Sequence, residues 1–536
     1  MITSISTDQH LQDNFTSKQN DYAIFLPAIS GFYATFIGRQ RNEQYVDPAR
    51  MPSGIKDMEQ LNWLNSQKSL FPYRWSLYSA GHANLDLNKQ DWSEDMVRNR
   101  AIDTFMLGDS GGFQIAKGRW PGEWRDPTSA DVQNQLASLR AQGTKTVLNK
   151  KGKPTTIDPA REYQKLLDDA EEKRRLVLTW LDGIADYSMT LDIPTWVTVD
   201  KRAGALCGVN TVQEAIDATK YNNEYFIRNR RGRDQGGTRI LNVLQGDSHS
   251  SAEEWYQTMK HYCDPQQYPG RHFDGWAMGG QNMCDVELIL TRLVALKYDN
   301  LLQPGIHDWM HFLGTSKLEW AVLLTALQRS VRKYINPNFT ISFDCASPFL
   351  ATANGQIYHE IDLPAQGKWT YRMSPGIDDK RYATDSRSMR DAYLQDFPKD
   401  YTNFEESPVS ALCRISDICI YQQGDLNKLG KEGRTSWDSF SYALQMAHNV
   451  WMHIHAVQEA NRRFDLGDWP AMLRDNRPKK EFFVDLIDRI FAAPTRSASE
   501  KIIKEYTKYW PQIIGTRGNT GKRVWSTNTT YNQFFK

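Results

Sequence analysis

Two short apolar runs in this chain end on an aspartate. One is Met106–Ile115, MLGDSGGFQI; the other lies within Asn338–Tyr358, NFTISFDCASPFLATANGQIY. In the first, Asp109 is followed by the Gly111–Gly112 pair, whose missing side chains let backbone approach a ligand closely. In the second, Thr340–Phe343 reads as a buried strand of branched and aromatic residues that ends on Asp344. A carboxylate at the end of a buried strand is costly unless it is paired or used. Either could instead cap the turn that follows it. Brought together, two such carboxylates are candidates for acid–base work.

The elements that must position them are legible as eight apolar runs. They are Tyr22–Ile29, Tyr73–Ala80, Ile102–Leu107, Ser188–Leu191, Ile240–Leu244, Gly275–Met278, Met310–Leu313 and Thr340–Phe343. Helical patterns lie between many of them. Thr211–Glu214 is a capping box opening a helix toward Phe226, and Ser251–Tyr262, Asp285–Leu296 and Ser316–Arg329 show helical spacing. Strands alternating with helices imply a parallel sheet, and eight of them predict an α/β fold of the (β/α)8 TIM-like barrel type rather than an open doubly wound sheet, for which no glycine-rich dinucleotide fingerprint is present. A barrel places working residues just past strand C-termini. Asp109, Asp192, Gln245, Gly279, Gly280, Gly314 and Asp344 all fall there.

The chain divides into an N-terminal arm (residues 1–21), the barrel (22–362) carrying an insertion at 117–156, a subdomain with the last barrel helix (363–464) and a helical, basic C-terminal extension (465–536). The insertion holds Lys145, Lys150, Lys151 and Lys153. The subdomain leads into a helix over Trp437–Arg463. Helices are also expected over Lys480–Phe491 and Glu500–Tyr509. With 65 Lys and Arg against 64 Asp and Glu in 536 residues, the net charge is +1. A nucleic-acid enzyme so balanced must rely on local patches. Six scattered cysteines, the polar N-terminus and the lack of a long apolar run predict a soluble, cytoplasmic chain without a membrane partner.

DSGGFQ at Asp109–Gln114, followed by FDC…P…NG at Phe343–Gly355, resembles the tRNA-guanine transglycosylases, which exchange a guanine in a polynucleotide for a 7-deazaguanine. The resemblance covers about Tyr22–Arg463. It implies that Asp344 is the nucleophile at C1′, holding a covalent glycosyl intermediate, and that Asp109 is the general acid and base. It also implies a purine pocket. Asp192 in DYSMTLDI meets the base's N–H edge, Gln245 in VLQGD its carbonyl, and the Gly279–Gly280 pair in FDGWAMGG offers backbone N–H. Ser110 belongs to the same pocket, with Phe113 and His311 sandwiching the ring. A polymer substrate must deliver its guanine unstacked.

Two departures bear on the polymer. The tRNA enzymes carry two phosphate-gripping arginines between the proline and the NG; here PFLATANG places Leu350 and Ala353 there. The family's zinc set, C-x-C-x-x-C and a distant histidine, is reduced to Cys413, Cys419 and His448, with Asp417 or a chain-distant group to complete the ligands of a structural zinc ion; the alternative is two buried thiols and a core histidine. The C-terminal RNA-binding module of the archaeal enzymes is not recognisable. Together these features resemble the branch, found in phages and bacterial modification clusters, that inserts 7-deazaguanines (preQ0-like) into DNA. The expected partners are therefore DNA, with tRNA as the alternative polymer, and a 7-deazaguanine base, in the host cytoplasm if the gene is a phage's. The oligomeric state is not readable. Candidate backbone-binding groups are Arg228, Arg230, Arg231 and Arg233, Lys145 to Lys153, and Arg517, Lys522 and Arg523 with Trp525. Competing readings are a non-catalytic nucleic-acid-binding subunit of the same superfamily and a barrel glycosidase acting on carbohydrate.

Overall fold

The computed structural model describes residues 21–43, 46–148, 152–365, 367–399, 401–420, 436–474, 483–510 and 513. Its centre is an eight-stranded, all-parallel sheet built from β1 (Ile24–Pro27), β2 (Trp75–Ser79), β3 (Phe105–Asp109), β6 (Tyr187–Met189), β7 (Arg239–Leu244), β8 (Gly275–Met278), β9 (Trp309–Phe312) and β10 (Thr340–Cys345). The order is β1-β10-β9-β8-β7-β6-β3-β2, and a parallel bridge between Ala28 and Leu77 joins the two edges. The result is a nearly closed, barrel-like α/β sheet, compatible with a TIM-like barrel. All eight strands overlap the runs that the sequence marks. Boundaries move by a few residues. The third strand starts at Phe105 rather than Ile102, because Ile102 is fully exposed in the preceding turn, and it runs on to include Asp109.

Helices follow the strands as βα alternation requires. Val212–Asn229 opens on the Thr211 capping box, with Glu214 returning a bond to the cap. Leu318–Tyr334 is buried along most of its length between the sheet and the helices Ser439–Asp465 and Phe483–Ala492. Ser439–Asp465 closes the barrel beside β1; its Asn449 accepts from Tyr358 N (2.9 Å) and donates to Thr352 Oγ1 (2.9 Å), tying it to the segment after β10. The insertion folds as the helix Ala130–Gln142 and the antiparallel hairpin β4 (Lys145–Leu148) and β5 (Pro154–Ile157). A second hairpin, β11 (Gln356–Asp362) with β12 (Thr370–Pro375), leads into the subdomain. Among the described residues no helix is long and apolar enough to cross a membrane.

The two ends of the barrel differ. Trp75, Phe105, Tyr187 and Trp309 are the first residues of β2, β3, β6 and β9. Their rings pack across the barrel foot, with Phe105 stacked on Trp309 at 4.7 Å and Tyr187 at 4.9 Å from Trp309. This aromatic plug fills the N-terminal end. The opposite end, where the strands finish, is open.

Candidate active site

A cavity of about 400 Å³ opens at the C-terminal ends of the strands. That volume suits a ligand of nucleobase size, since small-molecule sites span about 300–1,000 Å³. Asp109 and Asp344 both line it, with Phe113, Asp192, Gln245, Gly279 and Gly280. The two aspartates come from β3 and β10, which are separated around the sheet by β2 and β1.

Strand periodicity aims these side chains. Alternate residues face one side, so Phe105 and Asp109 share a face of β3, one at the plugged foot and one at the mouth. On β10, Ser342 and Asp344 share a face in the same way. Asp344 Oδ1 accepts from Gly314 N at 2.9 Å and lies 3.1 Å from His311 Nε2. Asp109 Oδ1 accepts a longer bond from Gly111 N at 3.4 Å. Burial pushes the Asp109 carboxyl above the usual range; hydrogen bonds from Ser79 and Gly111 pull it down, and the charge of Asp344 pushes it up again. A carboxyl whose pKa is raised beside a second carboxylate is suited to acid catalysis.

Asp192 stands three residues past β6, and Gln245 immediately past β7. Gln245 Nε2 donates to Asp192 Oδ2 at 2.8 Å, leaving the amide's second N–H and its carbonyl oxygen for a ligand. Burial pushes the Asp192 carboxyl up to about 7, against the pull of Gln245 and with the Asp109 charge adding to the rise. Two glycines make this wall. A Cβ on Gly112 would come within 2.5 Å of the Asp192 backbone oxygen, so the DSGG turn can press against the Asp192 segment. Gly280 has φ 55°, and a Cβ there would meet the Gly246 oxygen at 2.5 Å.

Two expected pocket residues stand elsewhere. Ser110 is buried behind the wall and donates to Thr190 O at 2.9 Å, stapling the end of β3 to that of β6. His311 does not line the cavity. It is fully buried inside the barrel beneath Asp344, and Leu313, two residues on and past the strand end, lines the cavity in its place. Phe113 does stand on the wall, half-buried, with the Lys117 ammonium 5.4 Å from its ring centre.

Residues outside the motifs complete the cavity. Gln114, His82 and the apolar Leu350 line it. Arg119 lines the rim, exposed, and among the described residues no acid or other group pairs with its guanidinium. Its backbone N–H reaches Gln114 O at 2.9 Å, after a turn at Gly118. Its position ten residues beyond Asp109 carries no motif.

The Arg228–Arg233 cluster is not a groove for a polynucleotide at this cavity. It lies between the C-terminus of the helix Val212–Asn229 and the start of β7, at the plugged end of the barrel. Arg230 is buried, paired with Asp274 at 3.0 Å and donating to His272 O and Thr238 O; Arg228 pairs with Glu224 at 3.5 Å. Lys145 donates to Gln142 Oε1 on the exposed hairpin. Lys150, Lys151, Arg517, Lys522, Arg523 and Trp525 lie outside the described residues.

The expected zinc ligands do not assemble. His448 is buried with both ring nitrogens engaged, Nδ1 with Ser407 Oγ at 2.9 Å and Nε2 with Tyr358 O at 2.8 Å. Its ring stacks on Phe404. Cys419 Sγ contacts Ile377 O, and Asp417 accepts from Arg414 N at 2.7 Å. Burial raises the Cys413 thiol and pushes the Cys419 thiol up to about 12. Among the described residues no group of three or more His, Cys, Asp or Glu could hold a metal ion. The sequence resemblance to a zinc set is met here by a satisfied core histidine and buried thiols.

No family model and no curated protein matches the chain.

Proposed function

We propose that this protein is a base-exchanging transglycosylase that replaces guanine in DNA with a 7-deazaguanine through a glycosyl ester on Asp344. The observation that carries the reading is one cavity lined by Asp109 and Asp344, with the paired Asp192 and Gln245 on its wall. In the first half of the exchange, a free oxygen of Asp344 attacks C1′ and the C1′–N9 bond breaks, its electron pair passing to the base. Asp109 gives its proton to the departing guanine. In the second half, the Asp109 carboxylate takes the proton from N9 of the incoming base. N9 then attacks C1′, and the ester bond breaks back to the Asp344 carboxylate. Each half returns the enzyme ready for the other. Asp192, once ionised, accepts N–H donors from the purine edge; Gln245 meets a neighbouring polar atom.

The choice of DNA rests on the sequence departures at Leu350 and Ala353 and on the resemblance to the DNA-modifying branch. The test offers guanine-containing duplex DNA and tRNA separately, each with a 7-deazaguanine base, and analyses the digested nucleosides by mass spectrometry. Incorporation into DNA supports the reading. Incorporation into tRNA alone transfers the protein to the tRNA enzymes, and incorporation into neither removes the exchange activity.

A further inference from the structure

Beneath the cavity, the barrel interior contains a file of hydrogen-bonded groups that the exchange above does not use. The Trp309 and His311 side chains share a face of β9, Ser342 and Asp344 share a face of β10, and the strand register sets Ser342 opposite His311. Trp309 Nε1 donates to Ser342 Oγ at 2.8 Å. Ser342 Oγ lies 2.9 Å from His311 Nδ1, and His311 Nε2 lies 3.1 Å from Asp344 Oδ1. Ser342 and His311 have no exposed surface.

The chemistry of each group fixes the direction of the file. An indole N–H can only donate, so Trp309 takes a lone pair of Ser342. The hydroxyl must then place its own hydrogen, and among the described residues His311 Nδ1 is the acceptor it meets. With Nδ1 accepting, the neutral ring carries its proton on Nε2, facing Asp344. Gly314 N–H binds the same oxygen at 2.9 Å. Oδ1 is thus held by two donors, while no donor among the described residues reaches Oδ2.

We propose that His311 is a positioning residue for the nucleophile: locked as an Nε2–H donor by Ser342 and Trp309, it pins Oδ1 with Gly314 and leaves Oδ2 as the attacking atom. The proposal rests on the reading of Asp344 as the glycosyl carrier. When Oδ2 bonds to C1′, Oδ1 becomes the ester carbonyl. When the incoming base attacks C1′, the C1′–Oδ2 electron pair returns to the carboxylate, and the charge that reaches Oδ1 finds both donors in place. His311 transfers no proton in either step.

The test compares wild type with His311→Gln, His311→Leu and Ser342→Ala in DNA base exchange, with the covalent complex quantified at steady state. Gln can place an amide N–H near the Nε2 position; Leu cannot. Loss of a donor to a charged oxygen predicts that His311→Leu lowers kcat about 10- to 100-fold, lowers KM for DNA with it as breakdown becomes limiting, and enriches the covalent complex, whose breakdown lacks support. Most of kcat should return in His311→Gln. Ser342→Ala, which frees the tautomer, should cost about 2- to 10-fold, the worth of one hydrogen bond. Wild-type kcat in His311→Leu, or equal losses in folded Leu and Gln variants, would overturn the proposal. Should the Leu variant not fold, Ser342→Ala decides: a lowered kcat with enriched covalent complex supports the proposal, and an unchanged kcat overturns it. Exchange absent from wild type itself removes the underlying reading, and the proposal falls with it.

Discussion

Gln245 donates a 2.8 Å hydrogen bond to Asp192 in the cavity wall, and burial still leaves that carboxyl titrating at about 7. The amide restrains the carboxylate without compensating its loss of water. Asp192 is therefore a charge held against stability, which is the expected state of a group kept for binding. The folded chain holds this proton more tightly than an ordinary aspartate does, titrating at 3.8. The stability tied to it is complete below that value and is lost as pH rises through about 7. Asp192→Asn should therefore be more stable than wild type at pH 8, by up to a few kcal/mol, with the gain vanishing towards pH 4. Thermal unfolding of both proteins across that range measures this.

The same carboxyl predicts how the base binds. A purine edge rich in N–H donors prefers the ionised form, so affinity for a 7-deazaguanine base should rise between pH 6 and pH 8 and flatten above. In Asp192→Asn the affinity should fall and the pH dependence disappear. Fluorescence or calorimetric titration with the free base reads both.

The barrel was legible because each of its strands is an apolar run between turn residues, and the cavity's carboxylates follow from where such runs stop. Asp109, Asp192, Gln245 and Asp344 meet in one cavity because parallel strands all end on one face. His311 was misplaced because motif matching ignores the period of two. WMHF and TISFD, read as alternating faces, put His311 with Trp309 inside the barrel and leave Leu313 for the cavity. Ser110 was misread for a related reason, since its neighbour in the turn fixes which side chain faces the ligand. Arg119 depends on the turn at Gly118, and Arg230 on a partner 44 residues away; neither relation has a local signature. The His448 helix placement was readable, but not that Ser407 and Tyr358 occupy its ring.

Asp109 should set the alkaline limb of the glycosyl-transfer step. Burial holds its proton above the usual range, so single-turnover formation of the covalent complex should decline as pH rises and Asp109 ionises. Asp109→Asn should lose about 10²- to 10⁴-fold in that step and lose the alkaline limb with it. Rapid-quench measurement across pH checks this.

Arg119 is expected to meet a phosphate beside the extruded nucleotide, as an exposed guanidinium on the cavity rim with no partner among the described residues. Arg119→Ala should raise KM for DNA about tenfold, leave affinity for the free base unchanged, and lower the slope of log affinity against log salt by about one. Binding isotherms at several salt concentrations give these quantities.

His448 should matter as a core residue. Its replacement by Ala removes a stacked ring and that ring's hydrogen bonds to Ser407 and the Tyr358 carbonyl, at about 2–4 kcal/mol. A strong chelator should leave the melting temperature of wild type unchanged. Unfolding curves with and without chelator, paired with elemental analysis, distinguish this from a zinc-dependent subdomain.

The most direct measurement is a mass. Wild type incubated with guanine-containing DNA, without added base, then denatured, should carry a covalent DNA adduct that peptide mapping assigns to Asp344, and the adduct should be absent from Asp344→Asn. An adduct on another residue, or base exchange by Asp344→Asn at the wild-type rate, would contradict the account.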